Sequence, residues 1–212
     1  DIDQRVEHHA RTNQRSRSAI STASETTSNT RLRAMASEAS PPSRARTVFR
    51  TWSSWPSWSG NTSTPPDFAA LRAMLFYVDE FPEKRHHRKE SELLFPKLRA
   101  RSPLARDVLD RLDADHASGE RSIRELEHAL LGFEMMGEPR REAFEQAAQR
   151  YVDFYLAHMG IEEQQILPLA ERVLTEQDWA DLDDAFAANR DPLAGHEPED
   201  EYRALFTRIV NA

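Results

Sequence analysis

Apolar residues recur at every third or fourth position in long stretches of the chain after residue 63, the spacing that gathers them on one face of an α-helix. The first stretch shows this spacing in Phe68, Leu71, Leu75 and Val78. The same period returns on either side of Gly137. The pattern predicts consecutive amphipathic helices and an all-α fold.

Breaker residues divide this part of the chain into separate helices. The first helix is predicted to begin at residues 64–67, where a capping oxygen and early prolines suit a helix start, and Pro82 should kink it. Ser102 and Pro103 separate it from the second helix, and Gly137 separates the second from the third. Two shorter helices are predicted at about 175–189 and 199–210.

Residues 1–63 have a different character, because they are rich in Ser, Thr and Arg and show no sustained apolar period. We interpret this segment as poorly ordered or frame-disrupted. Three tryptophans lie in it among Ser and Arg, at Trp52, Trp55 and Trp58. A shift of the reading frame by one base would convert each Trp codon into one for Leu, Met or Val. The predicted helical bundle therefore spans residues 64–212.

Composition narrows the function further. The chain has 212 residues, enough for one domain with additional sequence, and no apolar run reaches the roughly 20 residues that span a membrane. Without a basic and apolar N-terminal signal, we expect a cytoplasmic protein with no membrane partner. The net charge of −8 argues against nucleic-acid binding, and the absence of Cys leaves only His and carboxylates as metal ligands.

Three predicted helices each carry a His followed four positions later by a Glu, a spacing that places both side chains on one helix face. The pairs are His86 and Glu90, His116 and Glu120, and His158 and Glu162. The pattern His-x3-Glu-x5-Pro also occurs twice, over residues 86–96 and 158–168. An internal repeat at these positions indicates a common role.

The spacing of the three pairs about the turns places them at one height in an up-and-down bundle. His86 and His116 are equidistant from position 101, and His116 and His158 are equidistant from Gly137. Buried carboxylates cost several kcal/mol unless they are paired or bind metal. The pattern therefore favours a metal site, and the alternative is that the His and Glu side chains form salt bridges with one another.

Ligands of this kind suit iron or manganese, and facing helices of a bundle are where di-iron carboxylate sites are built. Two neighbouring residues leave alternatives open. His87 is an alternative to His86, but its partner at +4 is Ser91 and it points off the stripe, so we interpret it as an outer or surface residue. Glu163 is an alternative to Glu162.

Three segments carry a family resemblance. They are HHRKESELLFP at 86–96, DHASGE at 115–120 and HMGIEE at 158–163. These segments resemble the hemerythrin-like, or HHE, cation-binding domains of bacteria, and the resemblance covers residues 64–212. It implies an up-and-down four-helix bundle with a non-haem di-iron centre.

The resemblance also implies roles for the individual ligands. An oxo or hydroxo group and two carboxylates, Glu90 and Glu162, would bridge the irons. The terminal ligands would be His86, His116 and His158. Glu120 takes a position that is His in oxygen-carrying hemerythrins, so we expect a stabilised ferric state rather than reversible oxygen storage.

A bundle of this type needs a helix before residue 64 that supplies another His near position 40. The sequence there has no His, and the prolines at 41 and 42 oppose a helix. The alternatives are that His8 or His9 folds back, that a partner chain supplies the helix, or that the site is incomplete. An incomplete bundle would favour a homodimer.

The expected function is therefore that of a di-iron binding protein in O2, NO or peroxide sensing, or in iron handling. Its partner would be a small diatomic molecule or peroxide. One alternative is a di-iron redox enzyme that turns over peroxide or NO, and another is a metal-free helical interaction module. No catalytic residue set and no nucleotide-binding loop is predicted.

Overall fold

The computed structural model describes residues 66–192 and 196–210, and every secondary-structure element in these two ranges is helical. The predicted all-α fold is confirmed. The interpretation of residues 1–63, including the reading-frame hypothesis and the expected first helix, falls outside the described residues. None of the helices in the described ranges combines the length and the apolarity needed to cross a membrane.

The first long helix, α1, spans residues 68–101 and begins where the capping pattern places it. The side chain of Asp67 accepts hydrogen bonds from the backbone N–H groups of Ala69 and Ala70, at 2.9 and 3.0 Å. These bonds satisfy two N–H groups that a helix start leaves without intrahelical partners. Asp67 is thus the N-cap of α1.

Helix α1 is interrupted by two π-helical segments, Asp79–His86 and Glu90–Leu94. Pro82 lies in the first of them, where it has no N–H to donate to the preceding turn. The N–H of His87 bonds to the carbonyl of Pro82, five residues back. The distortion predicted at Pro82 therefore takes the form of a wider helical turn.

Two further long helices continue the chain in up-and-down order: α2 (Arg106–Met136) and α3 (residues 141–173). Short 3-10 turns at Pro103–Ala105 and Glu138–Arg140 connect the three helices. Gly137 closes α2 with φ of +72°, a backbone conformation that side chains rarely adopt. The predicted breaks between the long helices are confirmed.

Two apolar cores fill the interior, and a polar layer separates them. In α1, the first core ends at Phe81 and the second begins at Leu94. In α2, the second core ends at Leu112 and the first resumes at Ile123. His86 and Glu90 of α1 and His116 of α2 lie in the gap, so apolar side chains enclose the polar layer on both sides.

Helix α4 (Glu176–Ala187) covers the second core and one side of the polar layer. It begins with a capping box, in which Thr175 and Asp178 each accept a hydrogen bond from the other's backbone N–H. Near its end, Phe186 is buried, and its ring centroid lies 5.1 Å from that of His86. The C-terminal part of the chain thus reaches the candidate site.

The last helix, α5 (Arg203–Val210), packs against the first half of α1. Phe206 contacts the rings of Tyr77 and Phe81 edge-on, each at a centroid distance of 5.6 Å. The hydroxyl of Tyr77 donates to Asp191 at 3.0 Å, which fixes the connection between α4 and α5 against α1. The predicted additional C-terminal helices are confirmed.

Candidate metal centre

A proline near the end of each sequence repeat sets the helix geometry at the predicted carboxylates. Pro96 in α1 and Pro168 in α3 have no N–H to complete the α-helical hydrogen-bond pattern. In α1, the residue before the proline donates its N–H to the carbonyl of Glu90, five residues back. In α3, the equivalent residue donates to the carbonyl of Glu162. Each Glu therefore begins a π-helical turn. Such turns are rare in proteins, and those that occur often lie at functional sites.

Six His and Glu side chains from the three long helices meet in the polar layer, with exposed fractions from 1 % to 7 %. They are His86, His87 and Glu90 of α1, His116 of α2, and His158 and Glu162 of α3. Four of them each offer a ligand atom, and these atoms all lie within 4.8 Å of one another: His87, Glu90, His116 and His158. The structure thus forms a compact buried cluster from three helices.

Glu90 lies between two imidazoles. Its Oε1 is 3.1 Å from Nε2 of His86, and its Oε2 is 3.4 Å from Nε2 of His116. On the α3 side, Nε2 of His158 lies 2.9 Å from Oε1 of Glu162. The ring centroids of His116 and His158 are 4.9 Å apart. Histidines of different helices therefore lie at one level, as their spacing about the turns predicts.

Several buried atoms of this cluster have no hydrogen-bond partner among the described residues. They are Nδ1 and Nε2 of His86, Oε2 of Glu90, Nε2 of His116, Nδ1 and Nε2 of His158, and Oε1 of Glu162. Buried polar atoms without partners are costly and uncommon in folded proteins. Imidazole nitrogens and carboxylate oxygens that converge in this way fit a bound cation.

The charged groups of the layer change one another's pKa values. Burial lowers the pKa of His158, but the Glu162 carboxylate 2.9 Å away and the other nearby carboxylates outweigh this and raise that pKa to about 9. Burial raises the pKa of Glu90, but His86 and His116 outweigh it and hold that pKa well below its ordinary value. Burial and the charge of Glu90 raise the pKa of Glu162. The two carboxylates oppose each other's ionisation, which a bound cation would relieve.

The predicted ligand Glu120 does not reach this layer, and that expectation is corrected. Its side chain is 53 % exposed and accepts a hydrogen bond from Arg124 at 3.2 Å. In a regular α-helix such as α2, each step of four residues passes a full turn by about 40°. Leu112 and His116 are both buried and lie four residues apart, so a second step of four would carry the side chain past the inner face of α2. The next buried position is therefore Gly119, three residues after His116. In α3, the buried residue before His158 is Tyr155, only three positions earlier, so the following step of four to Glu162 stays on the inner face.

The structure also places the neighbouring alternatives at two positions. His87 belongs to the cluster, with an exposed fraction of 5 %, so the expectation that it lies at the surface is wrong, and His86 is buried beside it. The residue four positions after His87 is Ser91, but the partner of His87 is Glu83, four positions before it. Oε2 of Glu83 lies 3.1 Å from Nδ1 of His87. Glu162 is buried in the layer, and Glu163 is half-buried.

Residues outside the His-x3-Glu pattern orient His116. Nδ1 of this ring lies 2.8 Å from Oγ of Ser91, which donates to Asp113 at 2.7 Å. Asp113 also accepts from Arg99 at 2.6 Å. These contacts fix the ring of His116 with Nε2 towards Glu90. Because Ser91 and Asp113 are on different helices, no local spacing in the sequence indicates this link.

The sequence model of the hemerythrin HHE cation binding domain matches residues 43–170, more than half of the chain. The matched range contains the whole buried cluster and starts before residue 64, where the predicted bundle begins, while α4 and α5 lie beyond its end. No curated protein and no solved structure matches the chain. On its sequence, the chain belongs to the hemerythrin HHE cation-binding domain family.

Proposed function

We propose that this chain is a non-haem di-iron protein whose metal centre lies in the polar layer. The observation that carries the proposal is the convergence of buried, unpartnered nitrogen and oxygen atoms from three helices. A ligand set of imidazoles and carboxylates without thiolates suits iron or manganese. The fit of these residues to a cation agrees with the cation-binding family of the chain.

The placement of Glu90 supports a pair of ions rather than a single one. Its Oε2 faces His116, which belongs to the compact four-residue cluster, and its Oε1 faces His86 on the other side. A carboxylate whose two oxygens face different imidazoles is placed to bridge two ions. Glu162 supplies a second carboxylate next to His158, as in di-iron sites built between helices.

When bound, the iron pair would supply redox chemistry and a binding place for O2, NO or peroxide. The side chains of the layer are nearly inaccessible, and two apolar cores enclose them. This enclosure suits a small, uncharged molecule better than a large substrate. We therefore assign the chain to sensing of O2, NO or peroxide, or to iron handling.

Anaerobic loading of the metal-free chain with ferrous iron, followed by exposure to air, tests this function. We expect about two irons per chain and the charge-transfer absorption of an oxo-bridged iron pair. His116→Ala should lose these bands, because His116 offers its unpartnered Nε2 to the centre. One iron or none in the unaltered chain would contradict the proposal.

Glu120→Ala is the matched control on the same helix. We expect it to retain both the iron content and the absorption bands, because Glu120 is at the surface and pairs with Arg124. Loss of iron from this variant would mean that α2 presents a different face to the metal. Sustained turnover of peroxide by the loaded chain would favour the redox enzyme, and failure to load any metal would favour an interaction module.

A further inference from the structure

Glu83 is a buried acid beside the ligand cluster that does not join it. It lies in α1, one turn before His87, with 2 % of its surface exposed. Its Oε2 is 3.1 Å from Nδ1 of His87, and its Oε1 accepts a hydrogen bond from the hydroxyl of Tyr151 at 2.5 Å. Burial of a carboxylate is costly unless partners satisfy it. The arrangement therefore ties Glu83 to a ring that faces the metal layer.

Helix α2 leaves room for this carboxylate at Gly119. A Cβ atom at this position would lie 2.7 and 2.8 Å from the two oxygens of Glu83, closer than real Cβ contacts allow. Gly119 is on the inner face of α2, one turn after His116. Glycine weakens a helix interior relative to alanine. The space that Glu83 occupies explains why a glycine stands here.

The ring of His87 is held on its other sides by two further histidines. It stacks on His116 at a centroid distance of 4.3 Å and an interplanar angle of 7°, and its centroid is 5.1 Å from that of His158. Because Nδ1 is directed to Glu83, Nε2 is the nitrogen that remains for the cluster. The ring thus has one nitrogen for the carboxylate and one for a metal.

We propose that Glu83 is a positioning residue of the metal centre, which accepts the Nδ1 proton of His87 and so presents the Nε2 lone pair to the metal. Tyr151 donates a hydrogen bond to this carboxylate, and Gly119 leaves the space that the carboxylate occupies. This inference rests on the proposed function, because it makes His87 a ligand. A carboxylate behind a ligating histidine fixes the tautomer and raises the basicity of the ring.

Ferrous iron affinity, measured anaerobically on the full chain against a competing chelator, provides the first test. We expect Glu83→Leu to weaken binding roughly 10- to 100-fold, and Glu83→Gln to recover much of this loss because it keeps an oxygen acceptor. The control Glu80→Leu removes an acid of the same helix that pairs with Lys84 and Arg85, and it should leave the affinity unchanged.

A substitution on α2 tests the same contact without changing Glu83. Gly119→Ala should weaken iron binding about as much as Glu83→Leu, because the new Cβ displaces the carboxylate. Alanine favours the helix, so the loss cannot come from a weakened α2. Gly132→Ala in the same helix is the control, since a Cβ there meets nothing closer than 4.0 Å.

The tautomer of His87 gives a readout that needs no metal. Long-range 1H–15N spectra of the metal-free chain with labelled histidine should show His87 protonated at Nδ1, and Glu83→Leu should shift the proton towards Nε2. In a His87→Ala background, Glu83→Leu should cause no further loss of iron affinity, because the two residues act together.

Unchanged affinity and tautomer in Glu83→Leu, or an equal loss with and without His87, would overturn the inference. If the unaltered chain takes up iron normally, and Glu83→Leu changes neither the iron affinity nor the tautomer of His87, this inference alone is overturned. An unaltered chain that takes up no iron would overturn the proposed function and this inference together. The pattern of losses described above, with silent controls, would establish Glu83 as the positioning residue.

Discussion

Glu90→Gln should abolish tight binding of the iron pair. Glu90 is 1 % exposed, and its oxygens lie 3.1 Å from His86 and 3.4 Å from His116, so both ions of the proposed pair would share this carboxylate. The amide has the same shape but removes the negative charge and replaces one oxygen with an NH2 group that cannot bind metal. Loss of an outer partner of a ligand costs roughly 10- to 100-fold in affinity, and loss of this shared ligand should cost more than about 100-fold.

The neighbouring acid Glu92 provides a matched control for this substitution. Its side chain is 58 % exposed and pairs with Arg88 on the outside of α1. Glu92→Gln makes the same chemical change two residues away and should leave iron binding unaltered. Chelator competition on both variants measures the difference. Equal affinities would show that Glu90 is not a ligand.

Raising the pH from 7 to 8 should strengthen metal binding about tenfold for each proton that the metal displaces, with a smaller gain from pH 8 to 9. Burial lowers the pKa of His158, but the adjacent Glu162 carboxylate and other nearby carboxylates raise it to about 9. A metal requires the neutral ring, so it must displace this proton at pH 7 and 8, and the dependence levels off as the pH approaches the pKa of about 9. Burial lowers the pKa of His87 to about 4, so His87 is already neutral and adds nothing to the dependence.

The stability of the metal-free chain should change in the opposite direction. The folded-state pKa of His158 is above its ordinary value, so its ion pair with Glu162 stabilises the fold fully below pH 6.5. This contribution is lost as the pH rises to about 9. Zinc titrations at pH 7, 8 and 9, with urea unfolding of the metal-free chain at the same values, measure both effects. A zinc affinity that does not change with pH would contradict the protonated state of His158.

Helix boundaries could be predicted from the sequence because local interactions set them. The carboxylate of Asp67 caps the backbone two and three residues away, and Thr175 caps α4 within one turn. Gly137 ends α2 through its own backbone conformation. Each of these signals involves only neighbours in the chain, so spacing and residue type are enough to read them.

Site residues could be predicted from the sequence where helix periodicity alone sets their position. They could not be predicted where contacts between helices set it. Five of the six predicted ligands meet in the layer, whereas Glu120 lies outside it because two successive steps of four, from Leu112 through His116, carry it past the inner face of α2. The contact between Glu83 and Tyr151 joins residues 68 positions apart. No spacing rule predicts such a contact, although it involves the carboxylate that lies 3.1 Å from Nδ1 of His87.

Crystals of the iron-loaded chain, measured at the iron absorption edge, would locate the metal directly. We predict two anomalous peaks in the polar layer, about 3.5–4 Å apart, with Glu90 between them. One peak should lie beside His116 and His158, and the other beside His86. Iron bound at any other place, or a layer without anomalous density in a loaded crystal, would contradict the assignment of this buried cluster as the metal centre.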